Sequence, residues 1–113
     1  MIMIEINNNT LFFNKREIKE FDSQISEALV FKNVIVVCLN YYEVTYNENI
    51  FGLSLNGDVL WQIQKYIPIE GSKSAFVGLT KENENLVWAT NWDGTALLLN
   101  VKTGEIIKNE WHR

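Results

Sequence analysis

The sequence predicts an all-β chain of antiparallel four-stranded, blade-like units arranged as an open partial β-propeller. The first observation behind this is an internal repeat. Leu53-Ser54-Leu55-Asn56-Gly57-Asp58-Val59-Leu60-Trp61 returns as Leu99-Asn100-Val101-Lys102-Thr103-Gly104-Glu105-Ile106-Ile107: an apolar run, a glycine turn with an acid after it, and a second apolar run. Glycine accepts the positive φ of a tight hairpin turn, and the flanking Asn and Asp favour the same geometry. The second observation is the offset between the copies, about fifty residues, which lies in the period range of propeller blades. The third is that residues 34–39 and 96–99 are apolar at successive positions, as in strands covered on both faces.

The elements follow in order. Met3-Ile4-Glu5-Ile6 and Thr10-Leu11-Phe12-Phe13 read as strands about the polar turn Asn7-Asn8-Asn9. Thr10-Leu11-Phe12-Phe13-Asn14 lines up with Ala96-Leu97-Leu98-Leu99-Asn100, with Lys15-Arg16 in place of the glycine, so residues 1–21 read as a partial unit. Over residues 15–21 strand competes with helix, because Glu17, Lys19 and Glu20 tolerate helical geometry. After a polar break at 22–26, residues 27–31 and 34–39 pair through a turn at Lys32-Asn33, and residues 74–79 and 86–90 are their counterparts. Four-stranded units are expected at 22–64 and 74–113, joined by a connection at 65–73 that holds Gly71, Ser72 and the sole proline, Pro68. Neither half has core enough to stand alone, so 1–113 reads as a single domain. Val36, Cys38 and Trp88 are expected in its core, and Trp61, Trp88 and Trp111 are expected to pack within their strands.

Composition excludes several functions. A net charge of −4 argues against a phosphate-backbone ligand, so no nucleic acid is expected. The apolar run at 34–39 is too short to span a bilayer, and the start of the chain lacks the basic region and cleavage site of a signal peptide, so a cytoplasmic protein without membrane contact is expected. The sole cysteine, Cys38, lies inside the most apolar run, and the sole histidine, His112, is penultimate, so neither suits nucleophilic catalysis. Zinc ligands, a calcium loop and a phosphate-cradling glycine motif are missing, so neither cofactor nor metal is expected. A carboxylate pair assembled by folding is the one hydrolytic chemistry left open. The reading is of a protein without enzymatic activity.

What remains is a surface. Between Lys32 and Lys65 the charged residues are Glu43, Glu48 and Asp58; between Lys81 and Lys102 they are Glu82, Glu84 and Asp93. The connection after the second strand of one unit carries Tyr41, Tyr42, Glu43, Tyr46 and Glu48, and the same connection of the other carries Trp92 and Asp93. A meander topology gathers these at one edge, together with Asn7-Asn8-Asn9. Aromatic residues anchor interfaces and acids steer a basic partner, so these seven residues are the candidate partner-binding site. The competing reading is that the tyrosines continue the strands and pack on the sheet.

The copies Leu55-Asn56-Gly57-Asp58-Val59-Leu60-Trp61 and Val101-Lys102-Thr103-Gly104-Glu105-Ile106-Ile107 resemble the blade-closing hairpins of quinoprotein-type propeller repeats, over about half the chain. In overall character, small, acidic and without a catalytic motif, the chain looks like the immunity proteins of contact-dependent growth inhibition systems, which bind and block a toxin domain. That resemblance implies an inhibitor occluding the active site of a basic toxin, such as a ribonuclease, with carboxylates standing in for phosphates. The alternative is a propeller-like binding or assembly module that completes itself by self-association through open sheet edges.

Overall fold

The computed structural model describes residues 3–65 and 73–111. Its elements are all strands: β1 (Ile4–Asn7), β2 (Thr10–Phe13), β3 (Arg16–Glu20), β4 (Ile25–Phe31), β5 (Val34–Leu39), β6 (Ile50–Leu53), β7 (Val59–Gln62), β8 (Phe76–Asn83), β9 (Leu86–Asn91), β10 (Thr95–Asn100) and β11 (Ile106–Trp111). They form three antiparallel meanders, β1-β2-β3, β4-β5-β6-β7 and β8-β9-β10-β11. The first corresponds to the last three strands of a four-stranded unit, as the alignment of Thr10 to Asn14 with Ala96 to Asn100 anticipates. Pro68, Gly71, Ser72 and His112 lie outside the described residues, as does the side chain of Trp111.

The stack has two apolar layers, and β5 explains both. Every residue of β5 is buried. Side chains alternate across a strand, so Val34, Val36 and Cys38 enter the layer shared with the third sheet while Ile35, Val37 and Leu39 enter the layer shared with the first. A strand sandwiched in this way reads as an unbroken apolar run. Leu11, Phe21, Ile25, Val44, Leu53 and Ala75 complete the layer toward the first sheet. Phe31, Ile50, Trp61, Phe76, Val87, Leu97 and Leu99 are among those filling the other.

Residues 15–21 are resolved in favour of strand. Thr10 pairs with Glu20 and Phe13 with Arg16, and the hairpin closes through Asn14 (φ 51°) and Lys15 (φ 69°), a turn with two consecutive positive φ values and no glycine. Trp88 is a correction. In β9 Val87, Ala89 and Asn91 are buried against the second sheet, whereas Trp88 is half-buried on the opposite face, its indole N–H donating to Glu82 Oε1 at 2.9 Å. Alternation, not side-chain size, decides which face a residue takes.

The repeated glycines also join one sheet to the next. A Cβ on Gly57 (φ +92°) would lie 1.9 Å from the Ile18 carbonyl oxygen of β3. On Gly104 (φ +76°) it would lie 2.6 Å from the Trp61 ring of β7. Each hairpin turn is therefore seated against the outer strand of the preceding sheet. Trp61 also lies over Gly52 of its own sheet and donates its indole N–H to the Val101 carbonyl at 2.8 Å.

A candidate protein-binding rim

Each sheet runs with the same polarity, so the connections after β1, β5 and β9 meet at one end of the stack. Asparagines stitch that end together. Asn9 Nδ2 donates to Phe21 O, Asn91 Nδ2 to Ser74 O, and the fully buried Asn49 donates to Leu39 O and Phe76 O while accepting from Phe76 N, all at 2.8–2.9 Å. These bonds hold the backbone of neighbouring segments together at that end.

The connection 40–49 is long but tied at many points. The Asn40 carboxamide oxygen accepts from Tyr42 N at 2.8 Å, and its carbonyl accepts from Glu43 N and Val44 N. Val44 is buried and pins the turn to the first apolar layer. Tyr46 packs on the same layer and donates its hydroxyl to Asp22 Oδ1 at 3.4 Å. Its phenol is raised above the ordinary value by burial first, and then by the Asp22 and Glu48 charges. Asn47 Oδ1 accepts from Ser74 N at 2.8 Å, fastening the loop to the entry of the third sheet.

On this base stand three rings. Tyr41 is half-buried and stacks on Trp92 at 4.9 Å between centroids, with 21° between planes. Tyr42 meets Tyr41 edge-on, at 5.2 Å and 87°. Tyr42 is 80% exposed and Trp92 57% exposed. With Ser26, Asn40 and Val77 the three rings line an open cleft of about 350 Å³.

The seven expected site residues thus divide. Tyr41, Tyr42 and Trp92 are brought into one patch across two sheets. Tyr46 belongs largely to the packing beneath it. Among the acids, Glu43 accepts the Gln24 backbone N–H at 2.8 Å, and Asp93 accepts Thr95 N at 2.8 Å within the turn after β9. Glu48 is half-buried, its backbone carbonyl accepting from Gln62 Nε2. Two of the three expected steering carboxylates therefore also hold backbone.

The rim is not purely acidic either, which corrects the charge reading. Lys73 donates to the Tyr41 carbonyl at 2.8 Å and its ammonium stands 4.7 Å from the centre of the Tyr41 ring. Counting charges along the connections missed it, because it enters from the segment before β8. Val77 and Ser26 were missed as well; the alternation of exposed Val77 with buried Phe76 is the signal that marks Val77 as outward.

Cys38 is fully buried, and burial pushes its thiol up to about 12. Among the described residues no three His, Cys, Asp or Glu side chains converge as a metal would require.

The chain matches a domain of unknown function, DUF7957, over residues 1–111. It belongs to that family. No curated protein matches it by sequence. Among solved structures it is similar to BamB from Moraxella catarrhalis, at 19% identity and a TM-score of 0.68, covering 97% of this chain and 32% of that one. It is also similar to the computationally designed protein Ika4, at 16% identity and a TM-score of 0.69, covering 99% and 68%. A third likeness is to the WD40 β-propeller domain of Doa1, at 14% identity and a TM-score of 0.65, covering 99% and 37%. The chain spans about a third of the BamB chain it matches. At these identities the likeness is one of fold: the DUF7957 chain is propeller-like, with three sheets.

Proposed function

We propose that this DUF7957 chain is a non-enzymatic inhibitor of the immunity kind, which binds a basic toxin domain through the aromatic rim and covers its active site. A ribonuclease is the toxin class such a surface suits, since its cleft is built to hold polyanions. The observation that carries the reading is the joined patch of Tyr41, Tyr42 and Trp92, with Tyr42 and Trp92 exposed and the two tyrosines on a loop held by Val44, Asn47 and Asn49. Rigid aromatic side chains give contact area at little entropic cost, and interface hot spots are enriched in Tyr and Trp. Glu43, Glu48 and Asp93 add negative charge at the same end, and a net charge of −4 favours encounter with a cation.

The test is capture of any toxin domain encoded beside this gene, followed by binding kinetics. Tyr42→Ala and Trp92→Ala are expected to speed dissociation by about ten-fold or more. Glu43→Gln, Glu48→Gln and Asp93→Asn, which keep an accepting oxygen, are expected to slow association and flatten its salt dependence. A toxin that binds with unchanged kinetics after all five substitutions removes the rim from the interface.

A second reading, a self-assembling scaffold, is supported by one feature: the outer strand β7 exposes Val59 and Leu60 beside its open edge. A sedimentation mass that rises with concentration, and falls back to that of a monomer on Leu60→Lys, favours it.

A further inference from the structure

We infer that the corner between Trp92 and Tyr42 receives a single arginine side chain of a basic protein partner, the guanidinium stacking on the indole. The inference rests on the rim being the binding face and names the group it grips. Since Trp92 lies nearly parallel to Tyr41 and Tyr42 stands nearly perpendicular to it, the planes of the two exposed rings lie at roughly a right angle. Both line the same cleft, with Asn40, Ser26 and Val77 completing it.

The π face of each ring carries the negative end of its quadrupole, and such faces lining one cleft favour a cation over an apolar group of the same size. The fold already displays this preference: the Lys73 ammonium is drawn over the Tyr41 ring at 4.7 Å. That internal cation occupies the inner ring and leaves the exposed faces of Trp92 and Tyr42 for an incoming one. Guanidinium is favoured over ammonium because it is planar, weakly hydrated and able to stack while its edge still donates hydrogen bonds. Glu43 supplies charge complementarity from the adjoining loop position, its carboxylate held by the Gln24 amide, and Gln24 in turn accepts from Asn40 of the cleft through both its carbonyl and its Oε1.

The experiment needs no toxin. The full chain, labelled with ¹⁵N, is titrated at millimolar concentrations with acetyl-Gly-Arg-Gly-amide, and in parallel with the citrulline and lysine analogues. The arginine peptide is expected to move the Trp92 indole N–H and the Val77 and Ser26 amide signals, with smaller shifts for lysine and none for citrulline. Trp92→Phe retains binding, Trp92→Leu weakens it by about three-fold or more, and Lys73→Gln strengthens it by removing the competing charge. Equal shifts with citrulline, or unaltered binding in Trp92→Leu, overturn the inference; a larger response to lysine overturns the guanidinium assignment. If a toxin is captured through the rim and the arginine peptide moves nothing, the inference falls while the inhibitor reading stands. If the peptide binds and no toxin is captured, the inhibitor reading falls alone.

Discussion

Substituting Gly104 by Ala tests the claim that the repeated glycine joins sheets as well as turning a hairpin. Two costs can be separated. Gly104 has φ +76°, where an L-residue loses about 1–2 kcal/mol. Its new Cβ would sit 2.6 Å from two atoms of the Trp61 ring, which already rests against Gly52 and is fixed by its bond to Val101 O. Overpacking of that kind costs about 1–3 kcal/mol. The lower entropy of the unfolded chain returns about 0.4–1 kcal/mol. The net loss is roughly 2–4 kcal/mol, which for a domain of this size corresponds to a fall in Tm of roughly 8–16 °C. Urea unfolding followed by circular dichroism measures it, and a double-mutant cycle assigns it. In a Trp61→Leu background the ring is gone, so Gly104→Ala should cost only the left-handed term, about 1 kcal/mol. An equal cost in both backgrounds would refute the docking argument and leave Gly104 as a turn residue alone.

Other outcomes follow from the interior. Val36→Asp buries a charge between two sheets at a position with 0% exposure, so the chain should be unfolded or, by the ~1–3 kcal/mol scale of an unpaired polar group, lower in Tm by about 4–12 °C or more; a native melting curve would show that β5 is not sandwiched. Asn49→Ala removes its side-chain bonds to Phe76 N, Phe76 O and Leu39 O and should cost about 2–4 kcal/mol by urea titration, whereas a loss under about 0.5 kcal/mol would mean that the sheets do not depend on this stitch. Burial raises the Cys38 thiol from 9.0 to about 12, with Ser26 opposing and Glu27 assisting. The folded state therefore keeps a proton that the unfolded state releases, so the contribution is whole below pH 9 and declines toward pH 12, by about 1.4 kcal/mol per pH unit at most. Cys38→Ala should flatten that alkaline slope, and an identical slope in the variant would show the thiol does not cause it.

How much of this was legible depended on whether a residue's role was local. The run at 34–39 announced a strand covered on both sides because two-sided cover abolishes alternation. The glycine turns were readable for the same reason: positive φ is a property of one residue and its neighbours. That Gly57 meets Ile18 and Gly104 meets Trp61 was not readable, since it requires knowing which strand lies above the turn. Arg16–Glu20 is an edge strand whose only apolar residue is Ile18, so neither propensity nor pattern separates strand from helix, and pairing with β2 decides. Trp88 misled because the larger residue was assigned to the core. Crowding by the second sheet leaves room on the inner face of β9 for Val87 and Ala89, while Trp88 lies across from Leu98 on the outer face and helps to shelter it.

The rim shows the same division between local and relational information. Tyr41, Tyr42 and Trp92 could be brought together on paper because the meander fixes which connections share an end, and that follows from strand count alone. The work of each acid could not, because Glu43 and Asp93 find backbone donors at Gln24 and Thr95, and such bonds depend on loop geometry. The consequence bears on function. A ten-residue connection with exposed rings would ordinarily cost binding entropy as it ordered. Here Val44 is buried, Asn47 bonds to the entry of the next sheet and Asn49 to its first strand, and Tyr41 contacts both Trp92 and Lys73. Tyr42 is therefore presented at 80% exposure on a base that is already ordered, so a partner bound as proposed would meet a preformed surface, with most of that cost falling on folding instead. That difference predicts that rim substitutions which loosen the base, Asn47→Ala foremost, should weaken partner binding without touching the partner.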